Sequence, residues 1–289
     1  MAGIELEYET LGELAGVPLL LVSGLGSQLI GWPDDFCALL AGRGFHVIRF
    51  DNRDAGLSTQ LDQAGVPDLS EVVTGGQAPP YRLEDMADDA VGLLDSLGIK
   101  AAHVLGASMG GFIAQLIAIR HPSRVLSLTS IMSGPGGQDT VPADADAAAV
   151  LVQPPPATRE GRIAQDMEHR LILKGSADPY DESYERWRAE RAVDRAYRPA
   201  GAARQLAAIV AAPSRLEALR AVRVPTLVVH GVDDRLIPVE NGRTVAASVP
   251  GSRLLEIEGM GHQLPQRAWQ PVVDVLAEFA SLTAGTHPA

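Results

Sequence analysis

The sequence predicts an α/β protein in which a mainly parallel central sheet is flanked by helices and broken once by a helical insertion. Three observations carry that prediction. Apolar β-type runs alternate with helix-period segments through most of the 289 residues, the pattern of repeated βα units. The pentapeptide Gly106-Ala107-Ser108-Met109-Gly110 stands between one such run, 101–105, and a helix-like run, 111–118. From Gly134 to about Pro213 the β-type runs stop, and charged helix-period stretches replace them.

In chain order, Ile4 to Thr10 alternates as an edge strand would, and Leu19 to Val22 is a continuous apolar run suited to a central strand buried on both faces. Trp32 to Ala41 has helical spacing and ends at Gly42 and Gly44, before a strand over Phe45 to Phe50. An amphipathic helix follows over Asp85 to Leu97, with Met86, Ala90, Leu93, Leu94 and Leu97 on one face. The strand before Ser108 and the helix after it come next, the helix closed by Pro122, and Val125 to Met132 reads as a further strand. Within the insertion, Ile163 to Leu173 and Glu182 to Tyr197 have helical period, and Pro154-Pro155-Pro156 punctuates the segment. The strand-helix rhythm returns with Thr226 to His230, a helix over Pro238 to Val249, a strand over Arg253 to Ile257 and a last helix through Val272 to Leu282.

Bulk composition narrows the function classes. An apolar fraction of 46% with 21% charged residues is that of an ordinary globular chain, and 29 Gly with 20 Pro suit many tight connections. The net charge of −12, with no Lys/Arg cluster, argues against nucleic acid and anionic membrane surfaces as partners. No apolar run is long enough to span a bilayer, the opening residues carry no basic and apolar leader, and Cys37 is the single cysteine. The expectation is a cytoplasmic protein without disulfides. No metal or organic cofactor is expected: zinc-type His/Cys spacing and H-E-x-x-H are missing, and Gly24-Leu25-Gly26 lacks the later glycine of a dinucleotide fingerprint. Oligomeric state is not legible.

The chemistry starts from Ser108. A serine in a tight strand-to-helix turn presents its hydroxyl at the sheet edge, and glycines on both sides let neighbouring backbone approach. Its hydroxyl becomes a nucleophile only beside a base, and a histidine serves best when a carboxylate holds its tautomer. In an open α/β sheet those partners belong on loops after the carboxyl ends of strands. Asp234 lies on such a loop, within His230 to Pro238, with Asp233 as the close alternative for the acid. His262 follows the strand ending at Ile257, in the tight loop Gly259-Met260-Gly261. His46 and His103 sit inside strand patterns, His121 ends a helix, His169 falls in the insertion and His287 near the end of the chain, so none competes. The Gly-rich loop after Val22 can turn sharply and aim an N–H at a developing oxyanion, with Leu25 as the expected first donor and Met109, after the nucleophile, as the second.

With the order Ser108, Asp234, His262 in place, the chain resembles the α/β-hydrolase family over nearly its whole length. The segments Gly31 to Phe36, His46 to Thr59 and Gly259 to His262 are similar to those of aclacinomycin methylesterase-like carboxylic ester hydrolases. The resemblance implies a core of residues 1–133 and 214–289, with a helical cap, 134–213, inserted after the sixth strand. It also implies that the charges of Asp51-Asn52-Arg53-Asp54, after the family's fourth strand, brace their turn. The expected function is a serine hydrolase cleaving small to medium hydrophobic carboxylic esters, a small-molecule substrate, through an acyl-enzyme. A cofactor-free haloperoxidase or perhydrolase, or a C–C bond hydrolase, would use the same residues. A catalytically silent ligand-binding fold would usually lack one of the three. The family's frequent His-Gly in the oxyanion loop is Ser23-Gly24 here, so a role for that histidine does not carry over. Gly24 and the insertion residues Met167, Leu171, Tyr184 and Trp187 are expected to line the substrate pocket.

Overall fold

The computed structural model describes residues 3–283; His287 lies outside them. Seven strands form one sheet: β1 (Tyr8–Leu11), β2 (Val17–Val22), β3 (Phe45–Phe50), β4 (Ala102–Ala107), β5 (Val125–Ile131), β6 (Thr226–Gly231) and β7 (Arg253–Ile257). Their spatial order is β1-β3-β2-β4-β5-β6-β7. Only β1 is antiparallel to its neighbour; every other pairing is parallel. The helices are α1 (Asp34–Ala41), α2 (Leu69–Thr74), α3 (Leu83–Ser96), α4 (Met109–Arg120), α5 (Ala145–Ala149), α6 (Arg159–Leu173), α7 (Glu182–Arg195), α8 (Pro199–Val210), α9 (Leu216–Leu219), α10 (Val239–Ser248) and α11 (Gln266–Thr283).

Parallel strands need crossovers, and the crossovers put helices on both faces of the sheet. The alternation of strand side chains divides the core accordingly. Leu20, Val22, Ile48, Val104 and Leu128 pack with α3 and α4 on one face, while Leu19, Leu21, Val47, Leu105 and Val229 pack with α1 and α11 on the other. Strands β4 and β6 are buried at every position, which is why their sequences read as continuous apolar runs rather than alternating ones. Both end at the edge where the candidate site assembles.

Two strand counts shift by one. The turn after Phe50 follows the third strand, not the fourth, and the helical insertion leaves after the fifth strand, not the sixth. The strand read over Ile4 to Thr10 is shorter in the structure, where β1 covers Tyr8–Leu11. Residues 5–7 instead lie against the turn after β3: Glu5 N–H donates to Thr59 Oγ1, Glu7 N–H to Ser58 Oγ, and Asp51 N–H to Glu7 O.

Between β5 and β6 the chain forms α5 to α9 and no strand. Helix α8 goes beyond the two helices its sequence pattern suggested. Pro199 and Gly201 look like loop punctuation, but Pro is well placed in the first turn of a helix, where its missing N–H has no partner to lose. Among the described residues no helix is long and apolar enough to cross a membrane.

Candidate active site

The turn that carries Ser108 is built by the pentapeptide. Ser108 has φ 56° and ψ −121°, a strained conformation for a residue with a side chain. The flanking glycines are obligatory: a Cβ on Gly106 would lie 2.0 Å from Gly110 O, and one on Gly110 would lie 2.0 Å from Val22 O. Strand β5 supports the turn from the side, since Ile131 O accepts the Ser108 N–H at 2.9 Å and Ser133 Oγ donates to Ser108 O at 3.1 Å.

The structure brings the sequence-expected acid and base to this serine. His262 Nε2 is 2.9 Å from Ser108 Oγ, and His262 Nδ1 is 2.7 Å from Asp234 Oδ2. An ionised carboxylate only accepts, so Nδ1 carries the proton and the Nε2 lone pair faces the serine hydroxyl. Asp234 Oδ1 accepts the N–H groups of Leu236 and Ile237, both at 2.9 Å, which fixes the carboxylate plane. Burial works to raise the Asp234 carboxyl. The facing His262 imidazole, the nearby His230 and the Ile237 N–H outweigh it and hold the group well below the usual carboxylate range. Asp233 points elsewhere: its Oδ2 accepts the Ser176 N–H at 2.9 Å, a tie to the helical insertion. The choice between the two aspartates is therefore one of direction. Neighbouring residues on a tight loop face opposite sides.

The loop expected to carry the first oxyanion donor lies beside the serine. Gly24 approaches Ser108 so closely that a Cβ there would lie 3.3 Å from Ser108 Cβ and 3.8 Å from its Oγ. Among the described residues, the N–H groups of Leu25 and Met109 have no hydrogen-bond partner. Two orphan donors beside a nucleophile, one at a helix N-terminus, suit a developing negative oxygen. The turn after β3 braces this loop: Asn52 Nδ2 donates to Ser23 O at 3.0 Å, and Asp51 accepts the N–H groups of Leu29 and Leu57.

The four insertion residues expected at the pocket have different fates. Met167 is a correction, because it is buried with Ile163 and Ala189 where α6 packs on α7. Tyr184 and Trp187 form a ring pair on α7 that remains 43% and 53% exposed, with the Arg191 guanidinium over the indole. Leu171 borders an open cavity of about 550 Å³ on the outer side of the acid loop, with Ile172, Val232, Asp233, Asp234 and Pro238 but neither Ser108 nor His262 in its lining. Helical period marks which residues share a face; it does not say which face meets the sheet.

Sequence reasoning missed several contributors. His230 Nε2 donates to Ile237 O at 2.7 Å, closing the loop that presents Asp234; its place in an apolar strand run gave no polar signal. The insertion itself holds the base loop, since His262 N–H donates to Leu173 O at 2.8 Å and Gln263 Nε2 bonds Arg170 O. Among the described residues no group of three or more His, Cys, Asp or Glu could hold a metal ion.

Fold and site together define a hydrolase of the α/β class. The chain belongs to the alpha/beta hydrolase fold family, whose model matches residues 17–264. It is 32% identical to the rhodomycin D methylesterase DauP of Streptomyces sp. (strain C5), over 93% of this chain and 92% of that one. It is 29% identical to the non-heme bromoperoxidase BpoC of Mycobacterium tuberculosis, named as putative, over 90% and 91% of the two chains. The enol-lactonase of Burkholderia xenovorans LB400 has the same fold, with a TM-score of 0.75 over 97% of this chain and 98% of that one at 24% identity.

Proposed function

We propose that the protein is a serine carboxylic ester hydrolase that cleaves small to medium hydrophobic esters through an acyl-enzyme. The observation that carries this reading is the line of hydrogen bonds from Asp234 through His262 to Ser108, 2.7 and 2.9 Å long. In the first half-reaction Ser108 Oγ attacks the ester carbonyl while His262 Nε2 takes the hydroxyl proton and Asp234 stabilises the imidazolium. The carbonyl oxygen becomes an oxyanion between the Leu25 and Met109 N–H groups. Collapse of the tetrahedral species expels the alcohol, which leaves with the proton from His262. A water molecule, deprotonated by His262, then attacks the acyl-enzyme and releases the acid and free Ser108.

The 32% identity to a methylesterase, with each chain covered over nine-tenths of its length, supports a methyl ester as the favoured leaving side. The lone buried Cys37 suits the reducing cytoplasm. The test is a hydrolysis screen over acyl and alcohol sizes, run beside a fluorophosphonate probe. Ser108→Ala is expected to fold normally, to lose the label and to lower turnover by about 10^5-fold, because such groups act as a unit. Labelling of the variant or turnover near wild type would sink the assignment. A parallel arm with hydrogen peroxide separates perhydrolysis, in which peroxide replaces water at the acyl-enzyme.

A further inference from the structure

The turn that carries the first oxyanion donor is held from outside the sheet core. Gly24 to Ser27 closes on itself by one long hydrogen bond, Ser27 N–H to Gly24 O at 3.2 Å. In a four-residue turn of this kind the middle peptide, here Leu25–Gly26, can face either way, and a positive φ at the third residue marks one of the two states. Gly26 has φ 64°. Its N–H is taken by Gln205 Oε1 at 2.8 Å, from helix α8 of the insertion, 179 residues away in sequence. Gln205 is fully buried, and its Nε2 donates to Arg53 O at 2.8 Å. Both ends of the amide are thereby matched, the oxygen to an N–H and the nitrogen to a carbonyl, so the side chain has one favourable orientation. Ala202, on the same helix, stands 3.4 Å from where a Cβ on Gly26 would be. Just beyond the turn, Gln28 Nε2 donates to Ala192 O and Ala196 O at 2.7 and 2.9 Å, a second tie to the insertion.

We propose that Gln205 is a positioning residue for ester hydrolysis: by binding the Gly26 N–H it fixes the Gly24–Ser27 turn against Ser108, and with it the place of the Leu25 N–H, which lies on the neighbouring Gly24–Leu25 peptide. The insertion then contributes to the transition state. A side chain without an acceptor would remove the one described bond from the insertion to the Gly26 N–H, freeing the Gly24–Ser27 turn to shift against Ser108 and displace the donor it carries. The ground-state ester makes little use of that donor, so its binding should change little.

The inference rests on the ester-hydrolase reading above. It is tested by steady-state kinetics on Gln205→Met, which keeps the volume and loses the acceptor, Gln205→Asn, which keeps the amide but draws it back by one methylene, and Gln205→Glu, which keeps an acceptor oxygen within reach of Gly26. Folding is followed by circular dichroism, and a trifluoromethyl ketone serves as the oxyanion-forming inhibitor. The Met and Asn variants are expected to lower kcat about 10- to 100-fold with KM within threefold, to weaken the ketone by the same factor and to leave the pH midpoint of kcat/KM in place, since loss of one oxyanion donor costs on the order of 10²-fold or more. The Glu variant should recover most of kcat. If the Met variant does not fold, the Asn and Glu pair carries the test. Folded Met or Asn variants with kcat and ketone affinity within threefold of wild type would overturn the inference, as would a loss that appears wholly in KM. Hydrolysis unaffected by Ser108→Ala would overturn the ester-hydrolase reading and this inference with it; Ser108-dependent hydrolysis with unaltered Gln205 variants would overturn this inference alone.

Discussion

The sheet core and the helical insertion between β5 and β6 are held by different forces. The core buries two large apolar clusters, one on each face of the sheet, and removal of apolar area from water stabilises at roughly 25 cal/mol per Å² without demanding any direction. The insertion has one small described cluster of its own, Ile163, Met167 and Ala189, while Ala208, Leu219 and Val222 join a core cluster. Its helices α6 and α7 are joined instead by arginine–carboxylate pairs: Arg159 with Asp194, Arg186 with Glu160, Arg188 with Asp166 and Arg170 with Glu185. Two of the four, Arg159–Asp194 and Arg186–Glu160, are well exposed, so solvent screens them; the other two are partly covered. What anchors the insertion is buried and lies at its contact with the core, where Arg204 of α8 makes a two-point bond to Asp54 at 2.7 and 2.8 Å, both side chains almost fully covered. The difference teaches that the insertion relies more on directional polar contacts than the sheet core does, and that some of its docking points sit beside the site.

The sharpest way to break this comparison is at Asp233 and Asp234, adjacent residues of one core loop, of which the first bonds Ser176 of the insertion and the second His262 of the core. Asp234→Asn is expected to lower kcat/KM by about 10^4-fold, because the amide cannot hold His262 in the required tautomer. Asp233→Asn retains an oxygen that can accept the Ser176 N–H and should stay within about tenfold of wild type. Kinetics on both variants decides the matter, and reversed penalties would transfer the acid to Asp233.

Next in size is the anchor. Arg204→Met leaves Asp54 buried without its partner, for a loss of about 3–5 kcal/mol in urea unfolding. A loss below 1 kcal/mol would mean that the insertion is docked by other contacts.

The core should show a pH dependence of its own. His103 is buried in β4 between Ser127 Oγ, 2.6 Å from Nδ1, and the edge of Phe45, and burial lowers its imidazole to about 4. In the unfolded chain the same group titrates near its usual value of about 6.5. The unfolded state takes up the proton first, so stability present above pH 6.5 is lost as pH falls toward 4, by up to about 3 kcal/mol. Replacement by glutamine should flatten that part of the stability profile, whatever it does to the absolute stability. An unchanged slope between pH 6.5 and 4 would assign the acid sensitivity to other groups.

The smallest effect belongs to the exposed pairs. Arg159→Ala is expected to leave the urea unfolding midpoint nearly unchanged, and any small difference should vanish in high salt. A larger or salt-insensitive change would make the outer face of the insertion more than a set of solvated pairs.

What the sequence by itself determined is the part of the molecule governed by local sterics and by short-range periodicity. The glycines at 106 and 110 announce the turn because only a residue without Cβ tolerates backbone at 2.0 Å, and that requirement is written in five consecutive positions. The buried strands are continuous apolar runs because both faces are covered, and the loops after β6 and β7 must emerge at one edge because those strands are parallel. Ser108, Asp234 and His262 were therefore legible as a group. Tertiary structure decided whatever depends on how α6 to α8 dock. It turned Met167 inward, left Tyr184 and Trp187 in solvent, and joined Gln205 to Gly26 and Arg204 to Asp54 across 179 and 150 residues. The physical reason is common to these cases: an amphipathic or charged helix specifies a face, but its partner is set by shape and hydrogen bonding with chain that is distant in sequence, and no local pattern encodes that choice.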